Sequence, residues 1–368
     1  MNDIQKEESS SSVQVKVSRL AIIAIICAIL GIVFVPYIAR NSDPEYYDNL
    51  NITSITFLRL AGYLSLSLLL TSVILGFVSH ILIEKSGGKV TGRGFAVGAI
   101  VLSIIGGCLL ILWISTFFAR LPAFRILCGT NLSGLGKAML IYANDYDDKL
   151  PSQNITWGTS VKWDAATQQE AYGLNQDGTG GSATISSFLY LLVKYAEVPP
   201  KSFICAGDKQ VSEFKSGNYG IKNGNITDFW DFGSEPWKHN SYAYQMSFGK
   251  NALTTSNNSD IAIASDRNPW IASRRWKIKN FNSFNPDGDK EMIQQGNAPT
   301  HANQGQNVLY LDSHVEFESV SFCGVNQDNI YTSRNGSDIR KGTPPVLGSQ
   351  PAGNMDSLLV NDPPVKKP

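Results

Sequence analysis

The stretch from Phe95 to Ser152, FAVGAIVLSIIGGCLLILWISTFFARLPAFRILCGTNLSGLGKAMLIYANDYDDKLPS, changes character halfway along, and that change decides how the chain is built. From Phe95 to Phe118 it carries no charged residue and meets the roughly 20 apolar positions that a helix needs to cross a bilayer. Beyond Ala119, Leu127, Leu132, Leu135, Met139 and Tyr142 recur at helical spacings with polar residues between them. Such a stripe belongs to an amphipathic helix of a folded domain in water. Asp145, Asp147, Asp148 and then Pro151 end that helix. A membrane span therefore leads directly into the helix of an outer domain.

Two more apolar runs precede it: Leu20 to Ala39, LAIIAIICAILGIVFVPYIA, and Leu60 to Ile83, LAGYLSLSLLLTSVILGFVSHILI. Three nearly charge-free segments of this length argue against the buried helices of a soluble domain. The first is too long for the apolar region of a secretory signal and lacks a small-x-small cleavage site after it, so it is expected to remain as a span. The spans are placed at about 20–39, 60–83 and 95–118. Lys85, Lys89 and Arg93 crowd the loop before the third span, and Lys6, Lys16 and Arg19 the N-terminal tail. The segment after Arg40 has three acids and no Lys or Arg. Positive charge marks the cytoplasmic side, so the N-terminus is expected inside and everything after Phe118 outside, in a multi-pass protein of a bacterial inner membrane. No acid lies within a span, which argues against a proton-coupled transporter. With 31 basic and 31 acidic residues the net charge is zero, and no nucleic-acid partner is expected.

The turn between the second and third spans has its own signature. Gly76, His80, Gly87, Gly88, Thr91, Gly92, Arg93 and Gly94 make this region resemble the bacterial membrane family called domain of unknown function 4190. The resemblance implies a helical hairpin with a glycine-rich basic turn and no assigned chemistry. The glycines supply the positive φ that a tight turn needs, and the basic side chains suit anionic headgroups of the lipid bilayer. His80 is expected to hydrogen-bond across the hairpin.

The outer domain, 119–339, resembles pseudopilins of the type II secretion kind, in the group with an H-X9-DG motif. Cys128, Asn131, Leu132, Gly136, Ala138, Tyr142, Asp145, Leu150 and Pro151 carry the helix pattern. A short helix leading to Phe203 and Cys205, two strands in NSYAYQMSFG and IAIASDRNPW, and the segment HANQGQNVLYLDSHVEF, His301 to Phe317, follow in order. The resemblance implies an α+β fold, one long helix packed on an antiparallel β-sheet. The sequence departs from the pattern twice. Ten residues separate His301 from Asp312, with Ser313 in place of glycine, and Ala99 stands where a prepilin glutamate would fall, which speaks against assembly into a filament.

Val308, Tyr310 and Asp312 alternate with Leu309 and Leu311, as in a strand, and Asp312-Ser313 marks a bulge or turn within a hairpin. The expected role of the polar residues is structural, with His301 hydrogen-bonded to Asp312 and His314 solvated. The alternative is a metal-dependent enzyme or cation site built from His301, Asp312, His314 and Asp266, whose donors suit zinc. The resemblance adds a possible calcium ion at Asp145, Asp147 and Asp148, although the run lacks the glycine and glutamate of an EF-hand and a solvated helix end is expected. No catalytic set stands out.

Cys27 and Cys108 lie in spans, whereas Cys128, Cys205 and Cys323 lie where disulfides can form. The resemblance implies a Cys128–Cys205 bridge; the residues alone leave Cys323 open as a partner. Trp230, Trp237, Trp270 and Trp276 offer either a platform for a glycan or an envelope protein, or caps over a thin core. The tails 1–18 and 340–368, one Ser-rich and one rich in Pro and Gly, are expected to be disordered. The function expected is that of a non-enzymatic, membrane-anchored envelope protein that binds a partner or glycan.

Overall fold

The computed structural model describes residues 16–41, 52–208, 211–221, 224–249, 252–271, 278–334 and 338–362. The chain divides into two units, Met1–Ala119 and Arg120–Pro368.

Three helices dominate the first unit: α1 (Arg19–Asn41), α2 (Ile52–Lys85) and the start of α3 (Arg93–Asp145). Two of them are long and apolar enough to cross a membrane, over Gly62–Lys85 and Arg93–Leu112; the described apolar part of α1 is Arg19–Val33. Small residues let these helices approach closely. Ala21, Ala24, Ala28, Ala96 and Ala99 are buried, and a Cβ on Gly106 would stand 2.7 Å from Ile32. Ser65 and Ser72 donate to the carbonyls of Gly31 (2.8 Å) and Ala24 (2.7 Å). Leu and Ile side chains face outward instead, including Leu70, Ile74, Ile104 and Ile111. Small residues inside and bulky apolar residues outside are the arrangement lipid favours. Between α2 and α3, Gly87 (φ 58°), Gly88 (φ 89°) and Gly92 (φ 110°) turn the chain. Strand β1 (Lys16–Val17) pairs in parallel with β2 (Val90–Thr91). Arg93 Nε donates to His80 Nε2 across the hairpin at 3.3 Å, as the sequence suggested.

The second unit is built on an antiparallel sheet. β5 (Tyr242–Gln245), β6 (Ala262–Asp266), β7 (Gln306–Tyr310), β8 (Val315–Glu318) and β9 (Leu359–Val360) lie in the order β8-β7-β6-β5-β9. A separate parallel pair joins β3 (Thr156–Trp157) to β4 (Ser182–Ala183). Short helices α4 (Gln168–Tyr172), α5 (Ile185–Tyr195) and α6 (Lys290–Gln294) complete the unit. The period-2 alternation works as a strand requires. Tyr242, Tyr244, Leu309 and Leu311 point into one core, with Cys128, Leu132, Leu135, Met139 and Tyr142 of α3 and the apolar face of α5. Ala243, Val308 and Tyr310 point into a second core with Trp270, Phe284, Ile330 and Tyr331. Gly136 brings α3 onto the sheet, since a Cβ there would stand 2.7 Å from Leu309.

Several sequence expectations need correction. Leu127 is 54% exposed, and Cys128 takes the inward position of the α3 stripe, because the helix turns its buried face one residue further round. The segment from 340 is not a disordered tail through 362. Leu358, Leu359 and Val360 are buried, and β9 pairs with β5 at Tyr244↔Val360, so an apolar triplet in a Pro-rich context closes the sheet edge. Residues 1–15 and 363–368 lie outside the described residues. The acids at the end of α3 are exposed, and Asp147 (φ 54°) and Asp148 (φ 59°) form its left-handed exit.

Candidate functional site

Four elements of the second unit converge on one buried point. Cys128 sits within α3, Cys205 just after the 3-10 turn Pro200–Phe203, Asp266 ends β6, and His301 closes the 3-10 turn Pro299–His301. Cys128 and Cys205 are joined by a disulfide, the pairing the resemblance implied. His301 (2% exposed) places Nε2 3.1 Å from Asp266 Oδ2 (0% exposed) and 3.7 Å from Cys205 Sγ. Asn307 of β7 completes the cluster. Its backbone N donates to Asp266 Oδ2 at 2.7 Å, and its Nδ2 lies 3.2 Å from both that oxygen and His301 Nε2. Asp266 Oδ1 is buried with no hydrogen-bond partner. The neighbouring Arg267 turns away to Asp208, 3.5 Å distant.

The expected tie between His301 and Asp312 is not formed. His301 and Asp266 come together, while Asp312 and His314 make a separate, half-exposed pair in the β7–β8 turn. The reason is the hairpin: β7 runs from the His301 end to the turn, so about five residues of strand at about 3.3 Å each separate the two pairs. Asp312 Oδ1 accepts from the His314 backbone N at 3.0 Å, and that bond, ahead of the side-chain contact with His314, holds its carboxyl below the usual range. His314 stacks on Tyr310 with ring centroids 4.4 Å apart. Ser313, at φ 72°, stands in the left-handed conformation where the motif has glycine. The metal set His301, Asp312, His314 and Asp266 is thus split into two separate pairs.

Above the buried cluster, an open groove of about 410 Å³ lies between α3 and the β7–β8 turn, with Arg125, Thr130, Ser133, Asn307, His314 and Phe317 on its walls. The Arg125 guanidinium stands 4.2 Å over the Phe317 ring. His314 uses its backbone N and its Nδ1 on Asp312 Oδ1 at the rim of this groove.

Two of the four tryptophans, Trp230 and Trp270, are core residues rather than surface rings. Trp230 is 5% exposed; its Nε1 donates to the Ala165 carbonyl at 3.0 Å, and Lys194 covers its ring at 4.1 Å. Trp270, 4% exposed, packs edge-on against Phe281 at 5.0 Å. Trp237 is half-buried, and Trp276 lies outside the described residues. The large apolar rings supply core that short strands cannot.

Two buried acid pairs escaped sequence reasoning. Asp231 and Asp362 meet at the N-terminus of α5, where Asp231 accepts from the Thr184 and Ser186 hydroxyls (2.6 and 3.1 Å) and Asp362 from the Ser186 backbone N (3.3 Å). Burial, then the charge of Asp362, pushes the Asp231 carboxyl well up. Asp328 and Asp356 share Arg334, and burial followed by the Asp356 charge pushes Asp328 up to about 7. Each pair joins residues from segments distant in the chain, which no local motif reveals. Cys323 is free, and burial raises its thiol pKa. Comparison with known protein families, curated proteins and solved structures returns no match.

Proposed function

We propose that the chain is a non-enzymatic protein of the bacterial inner membrane, anchored by three spans, with a pilin-like second unit outside the cytoplasm that binds an envelope partner. The observation that carries this reading is the disulfide Cys128–Cys205 in a chain with two long apolar helices. Disulfides persist in oxidising compartments. The third span rests on α1, whose sequence from Leu20 to Ala39 is free of charge. The pilin-like build rests on the α3 stripe over an antiparallel sheet together with the quoted motif residues.

Burial of Trp230 and Trp270 takes two of the four candidate rings away from any ligand, which supports a protein partner over a glycan. The groove beside Arg125 and Phe317 offers such a partner a polar, accessible surface with an aromatic floor. Sealing of His301 and Asp266 supports a structural rather than a catalytic role for them. The test is protease treatment of intact spheroplasts. The reading expects cleavage of the second unit from outside, with the Lys85–Arg93 turn protected. Protection of the second unit in sealed cells would overturn it.

A further inference from the structure

The buried cluster has a chemistry that the proposed function leaves unused. One ligand atom each from Cys128, Cys205, Asp266 and His301 lies within 4.8 Å of the others, and all four residues are buried. Two sulfurs, an imidazole nitrogen and a carboxylate oxygen are the donors that zinc accepts in tetrahedral geometry. Thiolates are too soft for calcium, so the set selects against that ion. Independent of this convergence, Asp266 keeps one oxygen, Oδ1, buried without a hydrogen-bond partner. A buried carboxylate left so is costly unless a cation or donor meets it. Asn307, donating to Asp266 Oδ2 from backbone and side chain, already supplies the outer hydrogen bonds that orient a ligating carboxylate.

We propose that Cys128, Cys205, Asp266 and His301 form a redox-gated site for a zinc-like divalent cation, which the dithiol form takes up and the disulfide form releases. Reduction by a dithiol breaks the S–S bond. Two electrons and two protons pass to the cysteines, and the reductant becomes a disulfide. Binding of the ion then displaces the two thiol protons and leaves two thiolates on the metal. In the reverse direction hydrogen peroxide accepts two electrons from the thiolates; it takes up two protons to give two waters, the S–S bond re-forms, and the ion leaves. The inference does not depend on a partner or on which side of the membrane the unit lies.

The test uses the full chain in detergent, purified without a polyhistidine tag and kept anaerobic with a phosphine reductant. A thiol count in denaturant confirms the reduced state. Zinc titration against a chromophoric chelator is expected to show one tightly bound equivalent for the reduced chain and none for the oxidised chain. Cobalt in place of zinc should give thiolate-to-metal charge-transfer absorption. Peroxide should release the ion as the disulfide returns. Cys323→Ser should leave the stoichiometry unchanged, whereas Cys128→Ser with Cys205→Ser should lose the bound equivalent. Absence of zinc uptake by the reduced chain overturns the proposal without any variant. So does cobalt binding with no thiolate band, or binding that survives the double substitution.

Discussion

Reducing the Cys128–Cys205 bridge should loosen the second unit by an amount that follows from the loop it closes. The separation is 77 residues, for which chain-entropy arguments give about 15 cal/mol/K, or about 4.5 kcal/mol at 25 °C. Both cysteines lie in the main core among Leu132, Phe203 and Tyr242, so the bridge constrains α3 against the turn that follows α5. Urea titration of the detergent-solubilised chain, with a chelator present and tryptophan emission as signal, reads this unit selectively, because six of the seven tryptophans follow Ala119. With a urea slope of about 3 kcal/mol/M, the midpoint should fall by roughly 1.5 M on reduction. Cys128→Ala with Cys205→Ala should fall at least as far and become insensitive to reductant. A wild-type midpoint that does not move when the thiols are shown to be free would refute the reasoning.

Other outcomes follow from particular contacts. Gly207→Ala would place a Cβ 2.6 Å from the Thr300 carbonyl oxygen and should cost about 1–3 kcal/mol, read as a lower urea midpoint; an unchanged midpoint would show that the Cys205 turn yields freely. Trp230→Ala and Trp270→Ala should each destabilise by about 3–5 kcal/mol, since both rings are core, and stability near wild type would return them to the surface. Asp328 has a folded pKa of about 7, above the roughly 3.9 of an unfolded chain, so the folded state holds its proton more tightly. Its contribution to stability is therefore full below about pH 4 and is lost as pH rises through about 7, a change of at most about 4 kcal/mol at 1.36 kcal/mol per unit. Asp328→Asn should flatten that slope, and parallel profiles for variant and wild type would sink the assignment.

Local signals in the sequence identified the elements more readily than their contacts. The apolar runs, the glycine turn at 87–92, the α3 stripe and the β7–β8 hairpin are each encoded within about 25 residues, where periodicity is visible. The partner of His301 is not. Asp266 lies far back in the chain and reaches it through the β6–β7 pairing, whose register (Ser265↔Val308) no local pattern displays. The nearer acid, Asp312, was the natural choice on spacing, but a strand carries it to the opposite end of the hairpin. Burial of Trp230 and Trp270 likewise depends on α5 and on the 278–334 segment folding over them. β9 was hidden because two residues are too few to show alternation, and their strand character comes from the open edge of β5.

The most direct measurement is peptide mapping of the chain from bacterial membranes, alkylated in denaturant before any reduction and read by mass spectrometry. The account predicts a cross-linked peptide pair carrying Cys128 and Cys205, with Cys323 alkylated. Both Cys128 and Cys205 alkylated as free thiols, or either one linked to Cys323, would contradict an oxidised second unit outside the cytoplasm built as described.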